Sequence, residues 1–168
     1  MKYTEGEFEK TAELWEKSIE LDPENLKPLV LTPQVYTSLG WKDQVDSSLR
    51  RIVVTTERHL ELNPDDYSAR IVVASALIEL GEREDEAMEW ASAVLESGTQ
   101  DSLALYNLTC FYSKAGEVEK ALDSLDRSVG AGYRDVDWVR QDSDLDNIRD
   151  DPRFDTLVER METMGLSD

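Results

Sequence analysis

The chain has 168 residues, and its 37 acidic and 18 basic side chains give a formal net charge of −19. Nucleic acids and anionic membranes would repel such a surface, which argues against both classes of partner. The sequence is 40% apolar with only 5 prolines and 8 glycines, which favours a folded chain. No stretch approaches the roughly 18 apolar residues that would span a bilayer.

The first predicted element is a helix over 7–21, which Asp22-Pro23 ends because a residue before proline avoids the helical conformation. Its apolar stripe needs a partner helix, yet only five residues precede Gly6. We therefore expect a fragment of a larger protein. Its exposed face, including Phe8 and Trp15, would dock onto the missing upstream segment or onto a second copy.

A second helix is predicted over 26–39, with Leu29 and Tyr36 on one face. Pro33 lies in its middle, where proline removes a hydrogen bond and costs about 3 kcal/mol. We expect either a kink or a late start, in which Thr32 is the N-cap and Pro33 the first helical residue.

A long helix is predicted over 42–62, ended by Asn63-Pro64. His59 is the only histidine and lies on or beside the buried face of this helix, without a second ligand for a metal. We predict a packing or hydrogen-bonded role for it. Asp66 is the expected N-cap of the next helix, over 67–80.

Glycines 6, 40, 81 and 116 are 34, 41 and 35 residues apart, and each is placed to follow the end of a helix. We assign the seven extra residues of the second interval to the helix over 42–62. About two additional turns would keep its apolar face in phase. Two further helical pairs are predicted over 67–98 and 102–130.

Short helices over 135–163, broken by Asp151-Pro152, are expected to cap the end of the stack. The triplet Asp142-x-Asp144-x-Asp146 has the form of the start of a calcium loop. Asn147 and Arg153, however, stand where an EF-hand has glycine and glutamate. We interpret these acids as N-caps and solvated side chains.

Residues 102–129 resemble the tetratricopeptide repeat, a helical hairpin of 34 residues, at the signature positions Leu105, Leu108, Tyr112, Gly116, Ala121 and Leu125. The resemblance covers 6–130, and residues 144–154 look like the segment that ends many bacterial arrays of this family. It implies an all-α fold, a right-handed α-solenoid of helical hairpins with a C-terminal helical cap. The one domain, 1–168, would comprise a half repeat (7–21), a repeat with a lengthened second helix (26–64), two further repeats (67–98 and 102–130) and capping helices (135–163).

In this family the first helices of the repeats line a concave groove that holds a segment of another protein. The resemblance places these residues in the groove: Lys27, Val30, Gln34, Thr37 and Ser38; Ser68, Ile71, Ser75, Ile78 and Glu79; Leu103, Tyr106, Asn107, Cys110, Ser113 and Lys114. Asn107 would bond to the backbone of the bound segment. Family members that clamp the C-terminal carboxylates of chaperones use several basic residues there, so that ligand is not predicted.

The resulting prediction is a noncatalytic scaffold that binds a peptide or helix of a protein partner, with no cofactor and no metal. The alternative is a structural, self-association or regulatory domain of a larger multidomain enzyme. The acidity itself has two explanations, a basic partner or a surface suited to a salty cytoplasm. Cys110, the only cysteine, forms no intrachain disulfide and lies in an apolar helix, which indicates an inert thiol and a reducing, cytoplasmic compartment.

Overall fold

The computed structural model describes residues 5–23 and 25–165, and these contain α-helices and one short 3-10 helix but no strand. The all-α prediction is confirmed. The helices are α1 (Glu5–Leu21), α2 (Leu26–Ser38), α3 (Lys42–Leu62), α4 (Tyr67–Leu80), α5 (Glu84–Glu96), α6 (Ser102–Lys114), α7 (Val118–Gly130), α8 (Val136–Gln141) and α9 (Pro152–Gly165), with the 3-10 helix at Ser143–Leu145.

Contacts divide the chain after Arg83 into two compact units. The first unit contains α1 to α4 and the second contains α5 to α9. The domain predicted over 1–168 thus consists of two units, and the predicted repeat 67–98 has one helix in each of them.

The first unit is a succession of packed neighbours: α1 on α2, α2 on α3 and α3 on α4. Phe8 and Trp15 of α1 pack against a buried cluster that includes Val35 and Tyr36 of α2. This packing corrects the prediction that Phe8 and Trp15 form an open docking face. They instead bury apolar surface within the hairpin, which is the main force that holds two helices together.

Helix α2 begins at Leu26, so the late start predicted at Pro33 is wrong. Asn25 is the N-cap, and its side chain accepts a hydrogen bond of 3.2 Å from the backbone N–H of Lys27. Pro33 lies inside the helix and is buried with Val35. Burial of this face offsets the hydrogen bond that proline cannot donate.

Glycine turns connect the helices where the sequence predicts them at three positions. Gly40, Gly81 and Gly116 have φ values of 71°, 65° and 75°, in the left-handed region that glycine enters without strain. Gly6 is different, because α1 already begins at Glu5. Arg83, two residues after Gly81, also has a positive φ, of 50°.

His59 is hydrogen-bonded, as predicted, and it joins the end of α3 to the start of α4. Its Nε2 lies 2.9 Å from Oδ2 of Asp66, while Oδ1 of Asp66 accepts the backbone N–H of Ala69 at 2.9 Å. Asp66 is therefore the N-cap of α4 and also the partner of His59.

This arrangement makes the α3–α4 junction sensitive to acid. Burial alone would raise the pKa of Asp66, but the hydrogen bond from Ala69 and the interactions with His59 outweigh it and lower the pKa below its ordinary 3.8. A carboxyl with a lowered folded-state pKa stabilises the fold above its unfolded pKa and stops doing so as the pH falls through the folded value. We expect the stability advantage of the wild type over Asp66→Asn to shrink as the pH falls below about 4.

Urea unfolding of both chains at about pH 3 and about pH 6 tests this expectation. Asparagine is also a good N-cap, so the variant keeps the helix start and isolates the charge. An advantage that is the same at both pH values would contradict it.

The second unit is built on the pair α6 and α7, with α5 packed on α6 and α9 packed on α7. Its fully buried side chains include Leu105, Leu108, Phe111, Leu122 and Leu125. The segment after α7 belongs to the same core, because Leu145 and Ile148 are also fully buried. Among the described helices, none combines the length and apolarity needed to cross a membrane.

Candidate functional site

On α2 most of the predicted groove residues are accessible. Lys27, Gln34 and Thr37 are exposed and Val30 is half-buried. The hydroxyl of Thr37 donates to the carbonyl of Pro33 at 2.9 Å, which leaves its methyl group to the surface. Ser38 is exposed as well. This face of α2 offers polar groups, one lysine and one apolar side chain.

On α4 the predicted residues differ in exposure. Ser68 and Glu79 are exposed, Ser75 and Ile78 are half-buried, and Ile71 is buried. A partner of the folded chain would reach Ser75 and Ile78 but not Ile71. Burial therefore excludes Ile71 from the α4 residues that are available for binding.

On α6 the predicted groove face is occupied by the chain itself. Tyr106 is only 2% exposed, and its hydroxyl donates a hydrogen bond of 2.6 Å to Oδ2 of Asp142. Its ring stacks on Tyr133, with ring centres 4.4 Å apart and planes 5° from parallel. Tyr106 is therefore held within the second unit and is not open to a partner.

Other residues on this face of α6 contact the segment that contains Asp142. Sγ of Cys110 lies 3.7 Å from Oδ2 of Asp142, and Nζ of Lys114 lies 3.0 Å from Oδ2 of Asp144. Asn147 donates from Nδ2 to the carbonyl of Ser113 at 2.8 Å. The segment 142–147, which we call the cap loop, thus covers α6 from Tyr106 to Lys114.

Sequence reasoning missed this contact. Asp142 was interpreted as an N-cap or a solvated acid, and its Oδ1 does accept the backbone N–H of Asp144 at 3.0 Å. Its side chain is nonetheless buried, and its other oxygen accepts from Tyr106. A buried carboxylate needs such donors, but nothing local in the sequence indicates that they come from a residue 36 positions away.

The surroundings of Cys110 keep its thiol protonated. Burial raises the pKa of Cys110 above its ordinary value, and the negative charges of Asp142 and Asp144 raise it further. Because the thiolate is the reactive form of cysteine, this environment favours the inert role predicted for Cys110. Burial and nearby acids likewise raise the pKa of Tyr133 to about 12.

Cys110, Asp142 and Asp144 place one potential metal-binding atom each within 4.8 Å of one another. Both carboxylates already have donors, since Asp142 accepts from Tyr106 and Asp144 pairs with Lys114. A cation would have to displace these donors. The cluster is therefore better explained as the contact between α6 and the cap loop.

Two of the residues predicted on α6 take no part in these cap-loop contacts and remain at least partly accessible. Leu103 is exposed, and Asn107 is half-buried. Of the residues predicted on α6, these two stay open to a partner.

Comparisons with known proteins give limited similarity. No protein-family model matches the chain. The chain is 35% identical over 87 residues to a chloroplast protein of Arabidopsis thaliana, in an alignment that covers 50% of the chain and 26% of that protein. The chain thus spans about a quarter of the length of this relative.

Solved structures of MamA also align with the chain. "MamA 41-end from Desulfovibrio magneticus RS-1" has a TM-score of 0.48 and 19% identity, covering 96% of this chain and 86% of that one. "MamA RS-1 ArsTM double mutant" has the same score and identity, with 97% and 89% coverage. The helical hairpins of this chain and their left-handed glycine turns are tetratricopeptide-like in themselves.

Proposed function

We propose that the chain is a noncatalytic interaction scaffold and that it binds a segment of a partner protein on the faces of α2 and α4 in the first unit. The observation that carries the proposal is the accessibility of Val30, Gln34 and Thr37 on α2 and of Ser75 and Ile78 on α4. These residues lie at the positions where the resemblance places a ligand.

The second unit supports the proposal because one of its helices already holds a short segment of the chain. Its corresponding face on α6 is covered by the cap loop through a side-chain hydrogen bond, an ion pair and a bond to a backbone carbonyl. A short segment can therefore be held on such a helix face by ordinary polar contacts. Since α6 is occupied, binding is proposed for α2 and α4, with Leu103 and Asn107 of α6 as secondary positions.

The chemistry of the α2 and α4 faces indicates the kind of segment. Lys27 and Glu79 are the charged residues among the predicted positions on these two helices, and the others are small polar or apolar. A segment with apolar side chains and an exposed polar backbone would match them better than a highly charged one, since unpaired charges are costly to desolvate.

The test uses a displayed library of random peptides selected on the full chain, followed by titration of the enriched peptides. Gln34→Arg/Thr37→Arg adds two bulky charges to the α2 face and should weaken binding at least about tenfold, or about 1.4 kcal/mol. The matched control is Gln44→Arg/Ser47→Arg, which makes the same change of charge at the same spacing on the exposed side of α3.

Equal affinity of the two double variants, with circular dichroism unchanged in both, would reject the α2 face. The noncatalytic role and a reducing, cytoplasmic compartment are further parts of the proposal. They are supported by the lack of a catalytic motif in the sequence and by the single, protonated cysteine.

A further inference from the structure

The face of α1 that points away from its hairpin carries an unusual pattern for so acidic a chain. Lys10, Leu14, Lys17 and Leu21 recur at helical spacing and are all exposed, with Leu14 at 58% and Leu21 at 80%. Among the described residues, no ion pair involves Lys10 or Lys17. We call these four residues the α1 stripe.

Two features of the α1 stripe indicate a missing partner. Leu14 lies one helical turn from both lysines and Leu21 lies one turn from Lys17, so the stripe presents apolar surface next to positive charge. The chain contains 37 acidic but only 18 basic residues, so most of the surface that a second copy could present is acidic. A partner that matches the stripe needs a small apolar strip flanked by carboxylates.

The outer side of α5, in the second unit, has that composition. A shallow hollow there is lined by Asp85, Met88, Glu89, Ser92, Ala93 and Glu96 of α5 and by Lys120 of α7. Met88 and Ala93 contribute half-buried apolar surface to it, while Glu89 and Glu96 are exposed. We call it the α5 hollow.

The α1 stripe and the α5 hollow match in register. Lys10 and Lys17 are seven residues apart, as are Glu89 and Glu96, so each pair spans about 10.5 Å along its helix. In an antiparallel arrangement Lys10 faces Glu96 and Lys17 faces Glu89. Leu14 then lies over Ser92 and Ala93.

We propose that the chain self-associates by docking the α1 stripe of one copy into the α5 hollow of a second copy. The two surfaces are different, so the contact is head-to-tail and each copy can use both, which allows short chains or rings of copies. The interface is small, and such interfaces form weak complexes. This inference does not rest on the proposed function, since none of its residues is in the predicted groove.

Sedimentation velocity of the full chain from about 1 µM to about 0.5 mM tests the proposal. The experiment is run at about 0.15 M salt, where the Debye length of about 8 Å screens the long-range repulsion between acidic copies. The wild type should show an increase in mean mass with concentration. Lys10→Glu/Lys17→Glu and Glu89→Lys/Glu96→Lys should each weaken association at least about tenfold.

A charge swap separates this contact from general effects of net charge. The chain with all four changes restores opposite charges across the interface and should regain association close to that of the wild type. Lys42→Glu/Arg58→Glu, at two exposed positions of α3, changes the net charge as much as Lys10→Glu/Lys17→Glu and should leave association unchanged.

A wild type that stays monomeric across the range would overturn the proposal. So would double variants that associate like the wild type, or a fourfold variant that does not recover. Peptide binding by Lys10→Glu/Lys17→Glu should remain at the wild-type level, so failure of this proposal is distinguishable from failure of the scaffold function.

Discussion

Replacing Leu122 by alanine should lower the free energy of unfolding by about 3 kcal/mol. Leu122 lies on α7, is fully buried and belongs to the core of the second unit, where α7 packs on α6. Alanine would remove buried methyl and methylene groups and leave a cavity. Neighbouring helices cannot close such a cavity fully, because each is held by its other contacts.

Urea unfolding followed by far-ultraviolet circular dichroism measures the loss. Leu103→Ala is the matched control, because Leu103 lies on the adjacent helix α6 with 56% of its surface exposed. That variant should change the stability by no more than about 0.5 kcal/mol. Similar losses for the two variants would mean that Leu122 is not in a packed core.

Replacing Asp142 by alanine should also lower the free energy of unfolding by about 3 kcal/mol, in this case because buried hydrogen bonds are lost. The change removes the acceptor of the Tyr106 hydroxyl and of the backbone N–H of Asp144. The hydroxyl of Tyr106 would remain buried without a partner, which is more costly than the loss of an exposed hydrogen bond. Asp142→Asn should cost less, because its amide oxygen can still accept from Tyr106.

The matched control is Asp144→Ala, which removes a carboxylate of the same cap loop that is ion-paired with Lys114 at 3.0 Å. That pair is partly exposed to solvent, so its loss should cost less than about 1 kcal/mol. A second readout is the rate at which a thiol reagent modifies Cys110, which should rise in Asp142→Ala because the cap loop loosens and because a negative charge that raises the pKa of the thiol is removed. Equal stability losses for the two variants, with no change in the rate at Cys110, would show that Asp142 does not hold the cap loop on α6.

The acid dependence assigned to Asp66 has a similar origin but a smaller expected effect. Both aspartates accept a backbone N–H at the start of a helix and a second side-chain hydrogen bond, which Asp66 accepts from His59 and Asp142 accepts from Tyr106. Asp142 is buried, whereas Asp66 is about one-third exposed, so water screens more of its interaction.

Much of the helical framework could be predicted because its determinants are local. Apolar spacing located the helices, and left-handed glycines located the turns at residues 40, 81 and 116. Of the two alternatives predicted at Pro33, the late start is wrong for a related reason. Proline disfavours a helix interior locally, but the N-cap at Asn25 and burial of the α2 face outweigh that preference.

By itself the sequence determined an all-α chain of hairpins, because helix periodicity, caps and glycine turns act within a few residues of each other. Only the tertiary structure decided which helix faces stay open. The cap loop reaches α6 across 36 positions between Tyr106 and Asp142, and Phe8 and Trp15 are covered by α2 while Leu14 is exposed. Exposure depends on what packs from elsewhere in the chain, and apolar spacing within one helix cannot specify it.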